Sequence, residues 1–460
     1  MSKTTVKQTS RRFSACVTLA ALGVKVRQLN IFGPIREKVK IEQKVVKHTP
    51  AQKLYDGFIA ILAGAHGLVE INKRLRSDPC LQTAFGRESC AEQSVVQDTL
   101  DSSTPANVEQ IEQAMDEIYC QNSQGYRHDY AHSWQLLDVD MTGMPCGKKA
   151  VFASKGYFAK QRNRRGRQLG RVLASWYEEF VVDRLFSGKT QLATALKTLI
   201  EASEQTLGLD AEKRQRTILR IDAGGGSLDD VNWALMRSYH VHCKDYSGTR
   251  AQILADSVTE WVIDPLVPER QVGWVTIEAS QYVRPLRRIA VRCRKKNGQW
   301  GIGLILSSLS AQDVITLTRQ PIDRVNNPTA VLLSYVYFYD QRGGGVETEI
   351  KEDKQGLGIT KRNKKRFAAQ QMLTQLGTLA HNVIVWARRW LAPHLPKLAH
   401  FGMLRMVRDV FHVSGFVVID HTTQISQIIL NQADPLAKGL ALGLIALLAP
   451  EHVAVTLGEI

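Results

Sequence analysis

Between Trp134 and Tyr246 two patterns alternate, and that alternation limits the fold more than any other feature of the 460 residues. Residues 134–140 form a short apolar run ending in acids and followed by Thr142-Gly143, which reads as a strand and a turn. Residues 190–207 carry the spacing of an amphipathic helix. Residues 217–222 form a second apolar run ending in an acid, then a glycine run (224–226), a helix (228–239) and a third strand (241–246). Strand, helix, strand, helix, strand implies an α/β domain with a mostly parallel sheet. The chain is too long for a single core, so two or three domains are expected.

The flanks read differently. Upstream, residues 51–65, 94–100 and 108–119 have helical spacing, with Pro105 marking a turn, and suggest a small helical domain loosely like a helix-turn-helix. From 261 to 317 the period becomes two. Residues 274–277, 289–294 and 300–306 read as antiparallel strands, and Asn297-Gly298 is a hairpin turn. Helices return after Gly345, at 347–355 and 367–390, with shorter ones to the end. The expected division is 1–130, a basic arm and helical DNA-binding domain; 131–246 with 331–400, an α/β catalytic domain; 247–330, a β-rich insertion; and 401–460, C-terminal helices.

Charge narrows the function. Lys and Arg number 60 against 44 Asp and Glu, a net charge of +16. Such an excess attracts polyanions and argues against a purely structural or small-molecule role. The first 50 residues hold eleven Lys/Arg against Glu37 and Glu42. A second basic stretch comprises Lys155, Lys160, Arg162, Arg164, Arg165, Arg167 and Arg171, and residues 284–296 hold seven cations and no acid. The seven cysteines form no CxxC pair, which argues against a zinc ribbon or disulfide scaffold and suits a reducing cytosol. The apolar stretches 13–24 and 440–449 read as ordinary helices rather than a signal peptide or membrane span.

Three acids stand out. Asp140 and Asp222 each end an apolar strand, where open α/β sheets bind ligands, and such carboxylates suit a hard cation such as Mg2+. The third is Glu347, on the helix expected after Gly343–Gly345. There Glu347, Ile350, Lys351 and Lys354 fall on one face, with Tyr339 and Arg342 just upstream. Carboxylates to hold ions and cations to hold phosphates are what two-metal phosphoryl transfer needs.

With these residues the chain resembles the DDE transposases of bacterial insertion sequences. The subgroup it resembles has an RNase H-like catalytic domain, a Tyr-x2-Arg-x3-Glu-x6-Lys motif and an all-β insertion between the second and third acids. Asp140-Met-Thr142, Ile221-Asp222 and Glu347 are similar to the family's three acids; Tyr339, Arg342 and Lys354 match the rest of the motif, and Lys351 is an extra helix cation. Four residues rather than three separate Arg342 from Glu347, so Glu349 is an alternative third acid, and Asp138 competes with Asp140.

The resemblance implies that Asp140, Asp222 and Glu347 hold two Mg2+ ions, with Mn2+ as a substitute. One ion activates water and then the freed 3′-hydroxyl; the other stabilises the leaving oxygen. Arg342, Lys351 and Lys354 would grip phosphates near the transposon end, and Tyr339 the terminal nucleotides. Trp261, Trp274 and Trp300 lie in or beside the β insertion, where the family uses an aromatic to hold a flipped base, and Trp300 is counted among the DNA-binding residues. Lys361, Arg362, Lys364, Lys365 and Arg366 would contact the DNA backbone. The implied partners are double-stranded DNA, as transposon end and target, and a second copy of the chain on that DNA. No membrane is implied, and the expected location is the bacterial cytoplasm, associated with the nucleoid.

Two rivals stay open. The first is an actin-like or sugar-kinase-like ATP-dependent phosphotransferase, with Asp222-Ala-Gly-Gly-Gly-Ser227 as a phosphate loop. The second is a decayed transposase that binds DNA without cutting it.

Overall fold

The computed structural model describes residues 10–45, 47–156, 158, 164–278 and 281–460; Lys160 and Arg162 of the basic stretch, and the first nine residues of the basic arm, lie outside these. The chain forms two compact units. One comprises Met1–Ser123, Met144–Ala153 and Glu349–Ile460, and the other Gln124–Gly143 and Ser154–Thr348. In chain order the strands are β1 (Ser10–Ser14), β2 (Gln135–Pro145), β3 (Ser154–Lys155), β4 (Arg165–Ala174), β5 (Glu179–Ser187), β6 (Thr217–Ile221) and β7 (His240–Lys244). Then come β8 (Val262–Asp264), β9 (Val267–Trp274), β10 (Arg287–Arg294), β11 (Trp300–Ser307), β12 (Gly415–Ile419), β13 (Ile425–Asn431) and β14 (Ala454–Gly458).

In the second unit the described residues form one mixed sheet, ordered β3-β4-β2-β6-β7-β11-β10-β9-β8, with β5 also paired to β4. β2, β6 and β7 run parallel, in the register Val139↔Ile221 and Ile221↔Cys243. β6 is buried along its whole length and β2 over its first five residues, as expected of strands covered on both faces. One cover is the helix Pro328–Gly344, whose Leu332, Tyr335, Val336 and Phe338 share a core with Leu136 and Ile218. The helix Leu192–Leu207 packs on β4 and β5.

One expectation is corrected in this unit: β2 runs on through Thr142-Gly143 to Pro145, so Asp140 lies within the strand and no turn follows it there. The strands of the β-rich segment 247–330 join the main sheet: β11 pairs antiparallel with β7, so β8–β11 extend it. Of the basic stretch that ends at Arg171, Arg165, Arg167 and Arg171 lie on strand β4. Arg171, 1% exposed, is neutralised by Asp183 of the neighbouring strand at 2.7 Å, and its guanidinium lies 3.4 Å from the Phe180 ring centre. The helix expected after Gly345 begins at Val346. Gly343 and Gly344 complete the helix Pro328–Gly344, and the chain bends only at Gly345. A Cβ there would lie 2.9 Å from Asp138 Oδ2, so only glycine lets the backbone pass so close.

The first unit is mainly helical. Its longest helix, Phe367–Leu391, is buried over most of its length, and the helices Val17–Gln28, Pro50–Leu62, Pro105–Asn122 and Ala437–Leu448 contribute to the same core. Of the two apolar stretches singled out above, residues 17–24 lie in a buried helix, with Phe13 and Ser14 in β1, and residues 440–448 lie in a helix buried on one side. No helix among the described residues is long and apolar enough to cross a membrane. The C-terminal region is not purely helical. β12 pairs with β13 and also with β1 from the N-terminal arm, and β14 joins parallel to β13.

Candidate active site

The register of two parallel strands builds the site. Val139 pairs with Ile221, so Asp140 and Asp222 are the next residues on neighbouring strands, which lie about 4.8 Å apart. Side chains alternate along a strand, so Leu136, Asp138 and Asp140 share one face, as do Ile218, Arg220 and Asp222. Three layers result: apolar Leu136 and Ile218, then an ion pair, then the two acids.

The ion pair is structural. Asp138 is fully buried and accepts from Arg220 Nε at 2.6 Å and Nη2 at 2.7 Å, and from Ser175 Oγ at 2.6 Å. Arg220 also donates to the Phe338 carbonyl at 2.6 Å and lies 5.1 Å from that ring's centre. This separates Asp138 from Asp140: the former is consumed by the core, whereas the latter keeps 21% of its side chain exposed.

The helix Pro328–Gly344 follows the same layers. Tyr335 and Phe338 cover the apolar and ion-pair layers, and one turn later Tyr339 and Arg342 reach the acids. Tyr339 donates to Asp222 Oδ1 at 3.0 Å. Arg342, 2% exposed, donates to Glu347 Oε1 at 2.6 Å and to the Val139 carbonyl at 3.1 Å, and lies 3.2 Å from Asp140 Oδ2. Glu347 itself is 55% exposed. Asp140, Asp222, Glu347, Tyr339 and Arg342 therefore gather at one end of the sheet.

Charge in this cluster is uneven. Burial pushes Asp140 above the ordinary carboxylate range; Arg342 opposes the rise, while Asp222 and Glu347 add to it. Burial pushes Asp222 upward too, but Arg342, the Ala223 amide, the Tyr339 hydroxyl and Lys244 together hold it below its usual value. Burial would lower Arg342, yet Asp140, Tyr339, Asp138 and Asp222 raise it, so its proton is held tightly. Among the described residues no group of three or more His, Cys, Asp or Glu is close enough to hold a metal ion. The guanidinium of Arg342 is the group that links Asp140 to Glu347.

The other candidates are spread more widely. The expected helical face from Glu347 to Lys354 is broken: the α-helix Val346–Glu352 passes into a π-helical turn at Asp353–Leu357. Lys351 is exposed and Lys354 half-buried. Glu349, the alternative acid, is buried, with an oxygen 3.9 Å from His381 Nε2. Of the five cations before the helix Phe367–Leu391, Lys361, Lys365 and Arg366 are exposed. Arg362 and Lys364 are not surface contacts, which corrects their expected role. Arg362 donates to the Ala65 carbonyl and Lys364 to Gln97 Oε1, and both are buried. Trp300 is 38% exposed, with Arg292 4.7 Å and Arg294 5.8 Å from its ring centre. Trp261 also lies against Arg292, whereas Trp274 packs edge-on to Tyr335. Sequence reasoning missed Arg220, Ser175 and Lys244. Only Arg220 left a signal, standing two residues before Asp222 as Asp138 stands before Asp140.

No protein-family model and no curated protein matches this chain. Among solved structures it is similar to a piggyBac transposase, determined by cryo-EM as a synaptic complex with hairpin DNA. The TM-score is 0.50 and the identity 11%, over 84% of this chain and 79% of that one. At that identity the likeness is one of fold: this chain has a mixed α/β architecture similar to that of a DNA transposase.

Proposed function

We propose that this chain is a DDE-type transposase that binds the terminal inverted repeats of a mobile element and catalyses Mg2+-dependent DNA cleavage and strand transfer. The observation that carries this reading is the convergence of Asp140, Asp222 and Glu347 at one end of the sheet, with Arg342 and Tyr339 bonded to them. The fold likeness supports it independently. The mixed core β5-β4-β2-β6-β7, with Asp140 and Asp222 just beyond the last parallel pair Val139↔Ile221, supports an RNase H-like catalytic domain. The narrower assignment to bacterial insertion sequences is supported by the Tyr339/Arg342/Glu347 motif.

Asp140, Asp222 and Glu347 all offer hard carboxylate oxygens and all are partly open to solvent, so the donor set suits Mg2+ in kind, although as arranged here the three are not close enough to hold an ion together. Asp140, Asp222 and Glu347 would hold the Mg2+ ions once drawn together, and the chemistry supplied would be activation of a nucleophile and stabilisation of the leaving oxygen of a phosphodiester. The protein's own groups prepare the site. Tyr339 fixes the orientation of Asp222, and Arg342 neutralises charge between Asp140 and Glu347 until one of those pairs is exchanged. Lys351, Lys361, Lys365, Arg366 and Trp300 remain at the surface for DNA, with a second copy of the chain completing the complex on the element's ends.

The phosphotransferase alternative rests on the glycines after Asp222, and packing accounts for two of them. A Cβ on Gly226 would lie 1.8 Å from the Lys244 carbonyl, and one on Gly225 2.8 Å from the Ile221 side chain. The deciding experiment is cleavage of DNA carrying the element's terminal repeats with Mg2+, comparing wild type with Asp222→Ala and Glu347→Ala. Both variants are expected to lose cutting while retaining DNA binding; unchanged cutting rejects the site.

A further inference from the structure

Within the first unit a cavity of about 900 Å3 is lined by the helix Val17–Gln28, the short helix Gly33–Lys38, the start of the helix Pro50–Leu62 and the Phe85–Arg87 turn. Its volume is at the upper end of the range for ligand pockets. Its aromatic side is made by Phe32 and Tyr55, with ring centres 4.6 Å apart, and by Phe85 edge-on to Tyr55 at 6.1 Å.

Its cations are unevenly matched. Arg87 is neutralised by the buried Asp56, with bonds of 2.7 and 3.1 Å. Arg27, Arg36 and Lys40 are exposed and lie in no ion pair among the described residues. Arg36 donates to Asn30 Oδ1 at 2.9 Å, and Arg27 makes long contacts to the Thr83 carbonyl at 3.4 Å and Gln424 Oε1 at 3.5 Å. Gly86, at φ +70°, leaves room for Arg27, because a Cβ there would come within 2.9 Å of its Nε. Among the described residues the exposed Glu42 is the only acid in the lining.

Three unneutralised cations facing one concavity repel one another, and an anion inside it would relieve that repulsion. Burial holds the Tyr55 phenol protonated, against the pull of Arg27, Arg36 and Arg87, so its hydroxyl is available as a donor. A bare inorganic ion would leave the aromatic side unused. A ligand that is both planar and anionic matches both halves of the cavity.

We propose that this cavity binds a nucleoside phosphate, with the base against Tyr55 and Phe32 and the phosphate held by Arg27, Arg36 and Lys40. The choice of a nucleotide among planar anions rests on the reading of this chain as a DNA-processing enzyme. Its source is either a free nucleotide or the unpaired end of a DNA strand.

The test uses the full chain without divalent metal. Binding of a fluorescein-labelled duplex with a short single-stranded overhang, of its blunt counterpart and of dAMP is measured by anisotropy and calorimetry. Arg36→Glu/Lys40→Glu is expected to weaken the overhang duplex or dAMP at least tenfold. Lys397→Glu/Lys438→Glu makes the same change in net charge at exposed positions outside the cavity and is expected to cost far less. Tyr55→Leu keeps the wall filled but removes the ring, and is expected to lose binding several-fold. Binding of dAMP identifies a free nucleotide as the source; binding of the overhang duplex without dAMP identifies a strand end. Equal losses in the two charge-reversal variants, or neither dAMP binding nor a preference for the overhang, overturn the proposal. Asp222→Ala separates the two readings, since it should abolish cleavage and leave this binding intact.

Discussion

Asp138 and Asp140 stand two residues apart on one strand and face the same helix, yet replacing each by Asn should have opposite consequences. Asp138 is fully buried and holds Arg220, itself 2% exposed, through bonds of 2.6 and 2.7 Å. Asp138→Asn leaves a buried guanidinium without its counter-charge, which costs about 3–5 kcal/mol. The unit that contains the pair has on the order of 200 residues, for which 1 kcal/mol corresponds to roughly 2–4 °C. Its melting transition should therefore fall by roughly 6–20 °C.

Asp140→Asn removes a carboxylate that burial already pushes toward its neutral form, and Arg342 keeps its bonds to Val139 and Glu347. The change in stability should stay within about 1 kcal/mol, while cleavage is lost. The pH dependence has a definite sign. A carboxyl raised in the folded state stabilises the fold below its ordinary value and loses that contribution as pH rises. Asp140→Asn should thus gain on wild type between pH 4 and pH 7. Tryptophan-monitored melting at both pH values, beside the cleavage assay, reads all of this. An Asp138→Asn protein that melts with wild type, or an Asp140→Asn protein that falls as far as Asp138→Asn is expected to, refutes the division into structural and reactive acids.

Tyr339→Phe removes one of the donors that hold Asp222 below its usual range. A depressed carboxyl stabilises the fold above its ordinary value, so the variant should lose about 1 kcal/mol at pH 7, with the deficit closing as pH falls below the normal carboxylate range in urea titrations. Arg342→Gln leaves Asp140 and Glu347 without their shared counter-charge and should raise Asp140 further. Its melting temperature should trail wild type more at pH 7 than at pH 4, and an equal deficit at both would refute the assignment. Arg362, whose pKa burial pushes down to about 10, serves the fold: Arg362→Ala should cost about 1–3 kcal/mol. Lys361→Ala, Lys365→Ala and Arg366→Ala should instead leave melting unchanged and reduce the salt dependence of DNA affinity, read by anisotropy across a salt series.

The amino-acid sequence by itself determined the elements whose signals are local. The apolar runs before Asp140 and Asp222, the helices at Leu192–Leu207 and Phe367–Leu391, and the hairpin at Asn297-Gly298 lie where period and turn chemistry put them, although β2 continues through the turn expected at Thr142-Gly143. The motif members Tyr339, Arg342 and Glu347 were also legible, because their spacing lies within a few turns of chain. The hairpin strands β12 and β13 could have been found from the alternation Val417, Ile419 around a turn at Asp420–Gln424, but the expectation of C-terminal helices overrode it.

Only tertiary structure decided which residues became partners. That Arg171 meets Asp183, that Arg220 claims Asp138 and frees Asp140, and that β11 extends the main sheet all depend on strand register. Register is set by packing between segments far apart in sequence, which periodicity within any one segment does not encode. The same holds for charge. Arg342, Arg362 and Lys364 look like DNA contacts in a basic sequence, but whether a cation faces solvent or completes the fold depends on which distant carboxylate, amide or carbonyl oxygen the folded chain brings to it.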